Sequence, residues 1–167
     1  MCDLWKSWFI IRVMRRNYML TSTFIMLKPD AVKRGLTNTI IQIFQENGYQ
    51  IKRQKEVVVD RNLILKHYEE VIIRVNKPYF EQAILDFFDG QKVIALELQK
   101  EGDHVIEDVR ALVGATDPAK ADPSSIRGRY GEDSLEASMS QKRTLRNLIH
   151  ASDSVESAKQ ELSLWFN

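Results

Sequence analysis

One histidine lies in a setting that suits phosphoryl transfer. His150 follows the apolar pair Leu148 and Ile149, and the polar stretch after it is typical of the start of a helix. A helix N-terminus presents free N–H groups and the positive end of the helix dipole, which together attract anions. A histidine there is well placed to attack a phosphoryl group, with Glu161 as the carboxylate that fixes its tautomer. On these residues alone, a histidine that only caps or packs a turn is the alternative.

The helix after His150 is predicted from its own residues. Asp153 and Glu156 are three residues apart, which fits a capping box. Apolar residues then recur at helical spacing as far as Phe166, and they predict one buried stripe. The stripe contains Val155, Ala158, Leu162 and Trp165.

Cations and neutral donors elsewhere would complete a phosphate site. A transferred phosphoryl group needs charge neutralisation and in-line positioning more than covalent help. Arg110 and Arg127 are each able to bind two phosphate oxygens, and Lys28 adds a point charge. Thr116 and Asn147 offer neutral hydrogen bonds. A single residue of these types is most often a solvated surface group, so the hypothesis of a phosphate site depends on all of them occurring together with His150. The candidates are Lys28, Arg110, Thr116, Arg127 and Asn147. His67 and His104 lie in charge-rich helical stretches and are expected at the surface.

The elements that must position these residues alternate along the chain. Apolar runs predict strands at residues 23–27, 49–60, 92–98 and 148–150. Helices are predicted from about residue 40 to Gly48, and over 62–73, 78–88, 104–113 and 155–166. Residues 117–129 are predicted to be a loop, and the polar stretch 131–144 is predicted to be loop-like filler. This order predicts an α+β sandwich of the split βαβ type. A Rossmann fold is disfavoured, because the first strand is not followed by a glycine-rich turn.

Composition excludes several classes of protein. The chain has 167 residues, of which 44% are hydrophobic and 28% charged, as expected for one folded soluble domain. A single cysteine excludes a disulfide framework and a cysteine-rich zinc module. The formal net charge of +1 gives no basic footprint for nucleic acid. No apolar run reaches the ~18 residues of a membrane span.

The first eighteen residues differ from the rest. They are apolar and basic, carrying four of the cations and one acid, so the remainder has a net charge of −2. We expect residues 1–18 to be a disordered tail or to precede the true start at Met19. An organelle transit peptide or a helix on a membrane surface is the alternative. A secretory signal is disfavoured, because Arg12 interrupts the apolar stretch.

Two segments resemble the nucleoside diphosphate kinase family. TFIMLKPDAVKRGL is similar to the family's opening strand and first helix, and NLIHASDSVESAKQELSLWF is similar to its active-site signature. The spacing of Arg110, Thr116 and Arg127 also fits. The resemblance implies a family domain over residues 19–167 with a ferredoxin-like α+β core, in which helices cover a four-stranded antiparallel sheet. It also implies a homo-oligomer, either a hexamer or a tetramer, in the cytoplasm, with no need for nucleic acid or membrane.

The resemblance implies an activity and a role for each site residue. The terminal phosphate of a nucleoside triphosphate, typically ATP, passes to a nucleoside diphosphate in a ping-pong reaction through phosphohistidine at His150. Mg²⁺ is the cofactor and is held mainly by the nucleotide and water rather than by protein ligands. Lys28 and Asn147 hold the sugar hydroxyls, and Tyr79 stacks on the base where the family usually has Phe. Arg110, Thr116 and Arg127 bind phosphates, Tyr68 lies against the histidine and a phosphate, and Ser152 and Glu161 support the histidine.

The chain departs from the family in its loops. It is about three residues longer between Tyr68 and Pro78, and about ten longer between Arg129 and Arg146. Substitutions also occur near the site, at Ala115, Asp117, Ser124, Arg129 and Ala151. No departure removes a catalytic position, so they bear on oligomer contacts and loop detail. The alternative function is that of a weakly active member used as a nucleotide-binding regulatory module. A nucleic-acid-binding role is a third hypothesis, for which the basic leader is the candidate.

Overall fold

A four-stranded antiparallel sheet forms the centre of the protein. The structure, a computed structural model, describes residues 19–167. Its strands are β1 Leu20–Leu27, β2 Gln50–Val58, β3 Lys92–Glu101 and β4 Ile149–Ala151. They are arranged in the order β2-β3-β1-β4, and every neighbouring pair is antiparallel. This topology confirms the predicted ferredoxin-like α+β core.

Helices cover both faces of the sheet. They are α1 Pro29–Lys33, α2 Thr37–Glu46, α3 Arg61–His67, α4 Glu69–Val75, α5 Phe80–Phe88, α6 Val105–Val113, α7 Ile126–Tyr130, α8 Leu135–Ser140 and α9 Val155–Phe166, with a 3-10 turn at Pro118–Lys120. The helix predicted over 62–73 is thus two short helices, α3 and α4. The predicted loop 117–129 contains the 3-10 turn and the first residues of α7.

The alternation of side chains along β1 divides the core into two layers. Ile25 and Leu27 belong to the layer that contains α2 and α6. Phe24 and Met26 point to the other face, where Trp165 of α9 lies fully buried. The second layer also contains apolar residues of α3 and α5. Because successive residues of a strand face opposite sides, one buried strand supplies both layers.

The stretch 131–144 is not filler, which corrects the prediction. It contains α8, whose N-terminus is capped by the Ser134 hydroxyl accepting the Ala137 N–H. Asp133 binds the Arg143 guanidinium through two hydrogen bonds, of 2.6 and 2.8 Å. Those bonds lower the pKa of the Asp133 carboxyl to about 2. The ion pair therefore holds the two ends of the α8 segment together.

Between residues 19 and 167, no helix is both long enough and apolar enough to cross a bilayer. The predictions for residues 1–18 concern a segment outside the described residues.

Candidate active site

The short edge strand β4 carries His150. Its backbone register places His150 opposite Met26 of β1, and both flanking residues of β4 are buried. Just before the strand, Leu148 adopts a left-handed backbone with φ 68°. Its N–H donates to the Asp30 carboxylate at 3.0 Å, and its carbonyl accepts the Lys28 N–H at 2.8 Å. A left-handed leucine is strained, so these bonds and the buried side chain hold the turn that leads into His150.

Glu161 orients the imidazole of His150. The Nε2 atom of His150 lies 2.7 Å from Oε1 of Glu161, and the buried Ser152 hydroxyl donates to Oε2 at 2.5 Å. An ionised carboxylate only accepts hydrogen bonds, so Nε2 carries the proton and Nδ1 carries the lone pair. No residue within 19–167 hydrogen-bonds Nδ1, which leaves it free to act as a nucleophile.

The helix that supplies Glu161 starts where the sequence predicts, but with a different cap. Ser154 is the N-cap of α9, and the capping box joins Ser154 to Ser157. The predicted pair of Asp153 and Glu156 is therefore one residue too early. Both serines are short enough to bond the opposite backbone N–H, so they satisfy the same two donors.

Lys28 is a buried cation at the end of β1. Its side chain is only 9% exposed, and Nζ donates to Oδ1 of Asn147 at 2.7 Å. Asn147 in turn donates through Nδ2 to the Thr116 carbonyl at 2.8 Å. Burial and then the charge of Arg127 lower the pKa of Lys28 to about 7, with Asp30 opposing them. Lys28 is thus poised to gain charge when an anion approaches.

Arg127 is a second buried cation without a counter-charge. Its guanidinium donates to three backbone carbonyls, those of Asn147 at 3.1 Å, Gly114 at 3.0 Å and Ile149 at 2.6 Å. Burial lowers the pKa of Arg127 to about 10, so the group stays charged at neutral pH. Within residues 19–167, no carboxylate lies within 4.0 Å of either Lys28 or Arg127. Two of the five guanidinium N–H groups have no acceptor among the described residues. An anionic ligand would bind them and would stabilise the buried, unpaired charge of Arg127.

Seven of the predicted residues line one cleft of about 330 Å³, here called the basic cleft. They are Lys28, Tyr68, Arg110, Thr116, Arg127, Asn147 and His150. The buried Tyr68 hydroxyl has no hydrogen-bond partner within the described chain, so it is available to a ligand. Ser152 and Glu161 do not line the cleft, and they act on it through His150.

Tyr79 does not line the basic cleft. It lies in a neighbouring cavity of about 370 Å³ with mainly apolar walls, here called the apolar pocket. The two spaces share Lys28, Tyr68, Val71, Thr116 and Asn147, so they are continuous.

Another cavity, of about 520 Å³, is larger but lacks His150. Cations and carboxylates line it together, and several already pair, as Arg34 does with Glu132 and Arg143 with Asp133. Its charges are therefore compensated, in contrast to those of the basic cleft.

Sequence reasoning missed Arg74. This residue lies on α4, in the segment that is about three residues longer than in the family, and it lines the basic cleft beside His150. It forms no ion pair with any residue of 19–167. A single arginine in a helix carries no recognisable pattern, so only the folded chain identifies it.

The surface location predicted for His67 is wrong, whereas His104 is exposed as expected. The His67 ring lies edge-on to His150 with centroids 4.5 Å apart, and its Nδ1 accepts the indole N–H of Trp165 at 3.2 Å. Burial, then the neighbouring His150 and Lys28, lower the pKa of His67 well below its usual value. The ligand atoms of His67, His150 and Glu161 lie within 4.8 Å of one another. However, the Trp165 bond puts the His67 proton on the buried Nε2, which then has no lone pair for a metal.

Comparison with known proteins places this geometry in a family. The sequence model of the nucleoside diphosphate kinase family matches residues 21–167. The nucleoside diphosphate kinase of Pyrococcus furiosus is 44% identical over 144 residues, which are 86% of this chain and 81% of that protein. Nucleoside diphosphate kinase 1 of Zea mays is 40% identical over 147 residues, 88% of each chain.

Solved structures agree. A transition-state mimic of the Borrelia burgdorferi nucleoside-diphosphate kinase, with bound vanadate and ADP, superposes with a TM-score of 0.82 at 32% identity, covering 89% of this chain and 88% of that one. The NDP kinase of Pyrobaculum aerophilum gives a TM-score of 0.77 at 29% identity, covering 89% and 97%. Fold, family motifs and identity over nearly the whole described chain lead to one conclusion: this protein belongs to the nucleoside diphosphate kinase family and is a phosphotransferase.

Proposed function

We propose that His150 carries the phosphoryl group between two nucleotides. The Nδ1 lone pair attacks the terminal phosphorus of a nucleoside triphosphate, the bond from that phosphorus to the bridging oxygen breaks, and a nucleoside diphosphate leaves. A second diphosphate then attacks the phosphohistidine through a terminal oxygen and restores free His150. The observation that carries this proposal is that Glu161 holds Nε2, leaving Nδ1 free in a cleft with buried, unpaired cations.

The imidazole becomes positive when Nδ1 bonds to phosphorus, because Nε2 keeps its proton. Glu161 lies 2.7 Å from that proton's nitrogen and stabilises the new charge. Ser152 holds the other carboxylate oxygen, so Glu161 is fixed before the reaction starts.

The cleft cations neutralise the phosphates. In this proposal the two free N–H groups of Arg127 bind oxygens of the transferred group, and Arg110, Arg74 and Thr116 bind the phosphates that remain on the nucleotide. Lys28 and Asn147 lie at the junction of the basic cleft and the apolar pocket, where the sugar would sit. The Borrelia burgdorferi relative binds ADP and vanadate in a transition-state mimic, which supports a nucleoside diphosphate and a phosphate-like group as ligands here.

Mg²⁺ fits this cleft as a companion of the nucleotide. Four cationic side chains line the basic cleft, against Asp153 as the one carboxylate from the described residues. Mg²⁺ binds oxygen and keeps several waters, so nucleotide phosphates and water would supply most of its ligands. When bound, it would neutralise phosphate charge during transfer.

Tyr79 would stack on the base in the apolar pocket. Stacking requires a flat π-face and no particular edge pattern, so we expect comparable turnover with ADP, GDP, CDP and UDP. A preference of more than about a thousandfold would demand specific hydrogen bonds to one base and would contradict this assignment.

The phosphorylation test uses ATP labelled on the terminal phosphate. We expect an acid-labile, alkali-stable phosphoprotein that unlabelled diphosphate discharges. The His150→Ala variant should lose labelling and turnover but still bind ADP, because the cleft cations remain. Full labelling of His150→Ala would place the nucleophile elsewhere. Retained binding without any labelling of the wild-type protein would favour the regulatory alternative.

The domain and assembly are also part of the proposal. Residues 19–167 would form the active domain, since the family match begins at residue 21. Deletion of residues 1–18 should then change turnover less than about threefold, under ~1 kcal/mol of barrier. A hexamer or tetramer in the cytoplasm follows from the family resemblance, and light scattering during size-exclusion chromatography tests the subunit number.

A further inference from the structure

Helix α8 exposes apolar side chains toward the candidate site. Leu135 and Met139 are 43% and 57% exposed, four residues apart on one helix face. With Ser138 between them, they line the apolar pocket. Exposure of two large apolar side chains on a six-residue helix is costly in water, so a ligand that covers them would explain it.

Aromatic side chains also line the apolar pocket. Tyr79 is the N-cap of α5 and Phe80 is its first residue, and both line the pocket. Val71 and Val75 of α4 add to the lining. The pocket is thus lined mainly by aromatic and aliphatic side chains, with Lys28, Lys77 and Arg143 as its cationic residues. Such walls suit a flat heterocycle.

The basic cleft determines what enters the apolar pocket. Lys28 and Asn147 lie on the boundary of both spaces, joined by their 2.7 Å hydrogen bond. A nucleotide with its phosphates beside His150 and its sugar at this junction extends its base into the apolar pocket. The nucleobase is therefore the one occupant that both spaces fit.

Helix α8 is fixed before any ligand binds. The Asp133–Arg143 pair ties its flanks together, and Asp117 accepts the Leu135 N–H at 3.1 Å. The Ser138 hydroxyl donates to the Leu135 carbonyl, so it presents no free hydrogen to a base. A prebuilt apolar wall loses little entropy on binding and does not select between base edges.

We propose that Leu135 and Met139 close the base subsite opposite Tyr79 and are positioning residues for the nucleotide. The segment between Arg129 and Arg146, which is about ten residues longer than in the family, thereby supplies a wall of the base site. This inference rests on the proposed nucleotide site, and it predicts an effect on nucleotide affinity rather than on the phosphorylation of His150.

The test compares a nucleotide with a ligand that has no base. The double variant Leu135→Ser with Met139→Ser should bind ADP about tenfold more weakly by calorimetry, as expected from losing one face of a base stack. Its affinity for inorganic pyrophosphate and its kcat at saturating ATP should stay within about twofold of wild type. Ile73→Ser is the matched control, because Ile73 is 72% exposed on α4 but does not line the apolar pocket.

Each outcome of this test either supports or contradicts the role proposed for Leu135 and Met139. Unchanged ADP affinity, or equal weakening of ADP and pyrophosphate, would overturn the proposal. Met139→Leu, which keeps apolar bulk, should retain wild-type affinity if α8 acts by contact with the base. Thermal melting of the double variant checks that it is folded. Absence of phosphohistidine in the wild-type protein would instead refute the proposed function, so the two failures are distinguishable.

Discussion

Replacing Glu161 with Gln tests how the site stabilises its covalent intermediate. The side chain keeps its size, and its carbonyl oxygen still accepts the Nε2 proton of His150. The other carboxylate oxygen becomes an NH2 group, and the Ser152 hydroxyl is able to rotate and accept a hydrogen bond from it. Glu161→Gln therefore removes one negative charge from a partly buried carboxylate while keeping its hydrogen bonds.

The expected cost follows from the contact distance. With the Nε2 and Oε1 atoms 2.7 Å apart, the centres of the two charged groups lie farther apart, at about 4 Å. Two full charges at about 4 Å interact by about 4 kcal/mol at an effective dielectric constant of about 20. The transition state carries part of the imidazolium charge, so about 1.4–2.7 kcal/mol would be lost, which corresponds to about a 10- to 100-fold slower reaction.

The assay is rapid-quench measurement of phosphoenzyme formation with labelled ATP in a single turnover. The rate should fall by the stated factor, and the final fraction of phosphoenzyme should also fall, because Glu161 stabilises the positive imidazole of the intermediate. The affinity for ADP should remain unchanged, because Glu161 does not line the basic cleft. Ser152→Ala is the comparison, and it should slow the step by only about 2- to 10-fold, since it removes one hydrogen bond and keeps the charge. A Glu161→Gln rate within twofold of wild type would refute the electrostatic role assigned to Glu161.

Three other changes test the cations and the backbone of the site. The pKa of Lys28 is lowered to about 7, so the lysine loses its proton as pH rises through 7. The ADP affinity, measured by calorimetry from pH 7 to 9, should therefore fall in the wild type and stay constant in Lys28→Met. Parallel pH profiles for the two proteins would contradict the role assigned to Lys28. Arg74→Ala should raise the KM for ATP a few-fold with little change in kcat, as expected for a phosphate contact at the cleft mouth, and an unchanged KM in steady-state kinetics would remove Arg74 from the site. Gly114 has φ +90°, and a Cβ there would lie 2.2 Å from a serine hydroxyl, whereas Gly90 has φ +69° and nothing within 4 Å. Urea unfolding should therefore show a loss of about 1 kcal/mol for Gly90→Ala, from backbone strain alone, and about 2–3 kcal/mol for Gly114→Ala, with equal losses counting against the close contact.

Local sequence patterns were sufficient to predict the structural setting of His150, the proposed nucleophile. His150 lies between a buried strand and a helix start, and both features depend on neighbours within a few residues. The carboxylate that orients it was also predictable, because Glu161 lies on the same continuous helix. Neither prediction requires a tertiary contact, and the structure brings the two side chains together.

Burial of the cations was not predictable from local patterns. Lys28 and Arg127 are separated by about a hundred residues, and they lose solvent only when β1, β4 and the loop after α6 assemble. The surface location predicted for His67 was wrong for the same reason. Its own helix is charge-rich, but Trp165 covers it from the other end of the chain. Local composition measures the average exposure of a segment rather than the exposure of one side chain.

The wrong prediction for residues 131–144, which contain α8, has a different cause. Polar residues dominate 131–144, and this composition outweighed two specific features that predict a helix. Ser134 is a good N-cap, and Leu135 and Met139 have the i, i+4 spacing of a helix face. A short helix with an exposed apolar face is unusual in a folded domain, so composition alone disfavours it.

In the proposed function, phosphoryl transfer and base recognition depend on different parts of the fold. Lys28 and His150 belong to or directly follow two paired strands, in which Met26 is opposite His150, so the sheet fixes their separation. Tyr79 is the N-cap of α5 and Met139 lies on α8, and both helices lie outside the sheet. Side-chain packing, the Asp133–Arg143 ion pair and the hydrogen bond from the Leu135 N–H to Asp117 hold α8 in place. Changes at His150 should therefore act on the rate of phosphoryl transfer, whereas changes in α8 should act on nucleotide affinity. In this proposal, the separation allows an extension of about ten residues to alter the walls of the base site without displacing His150.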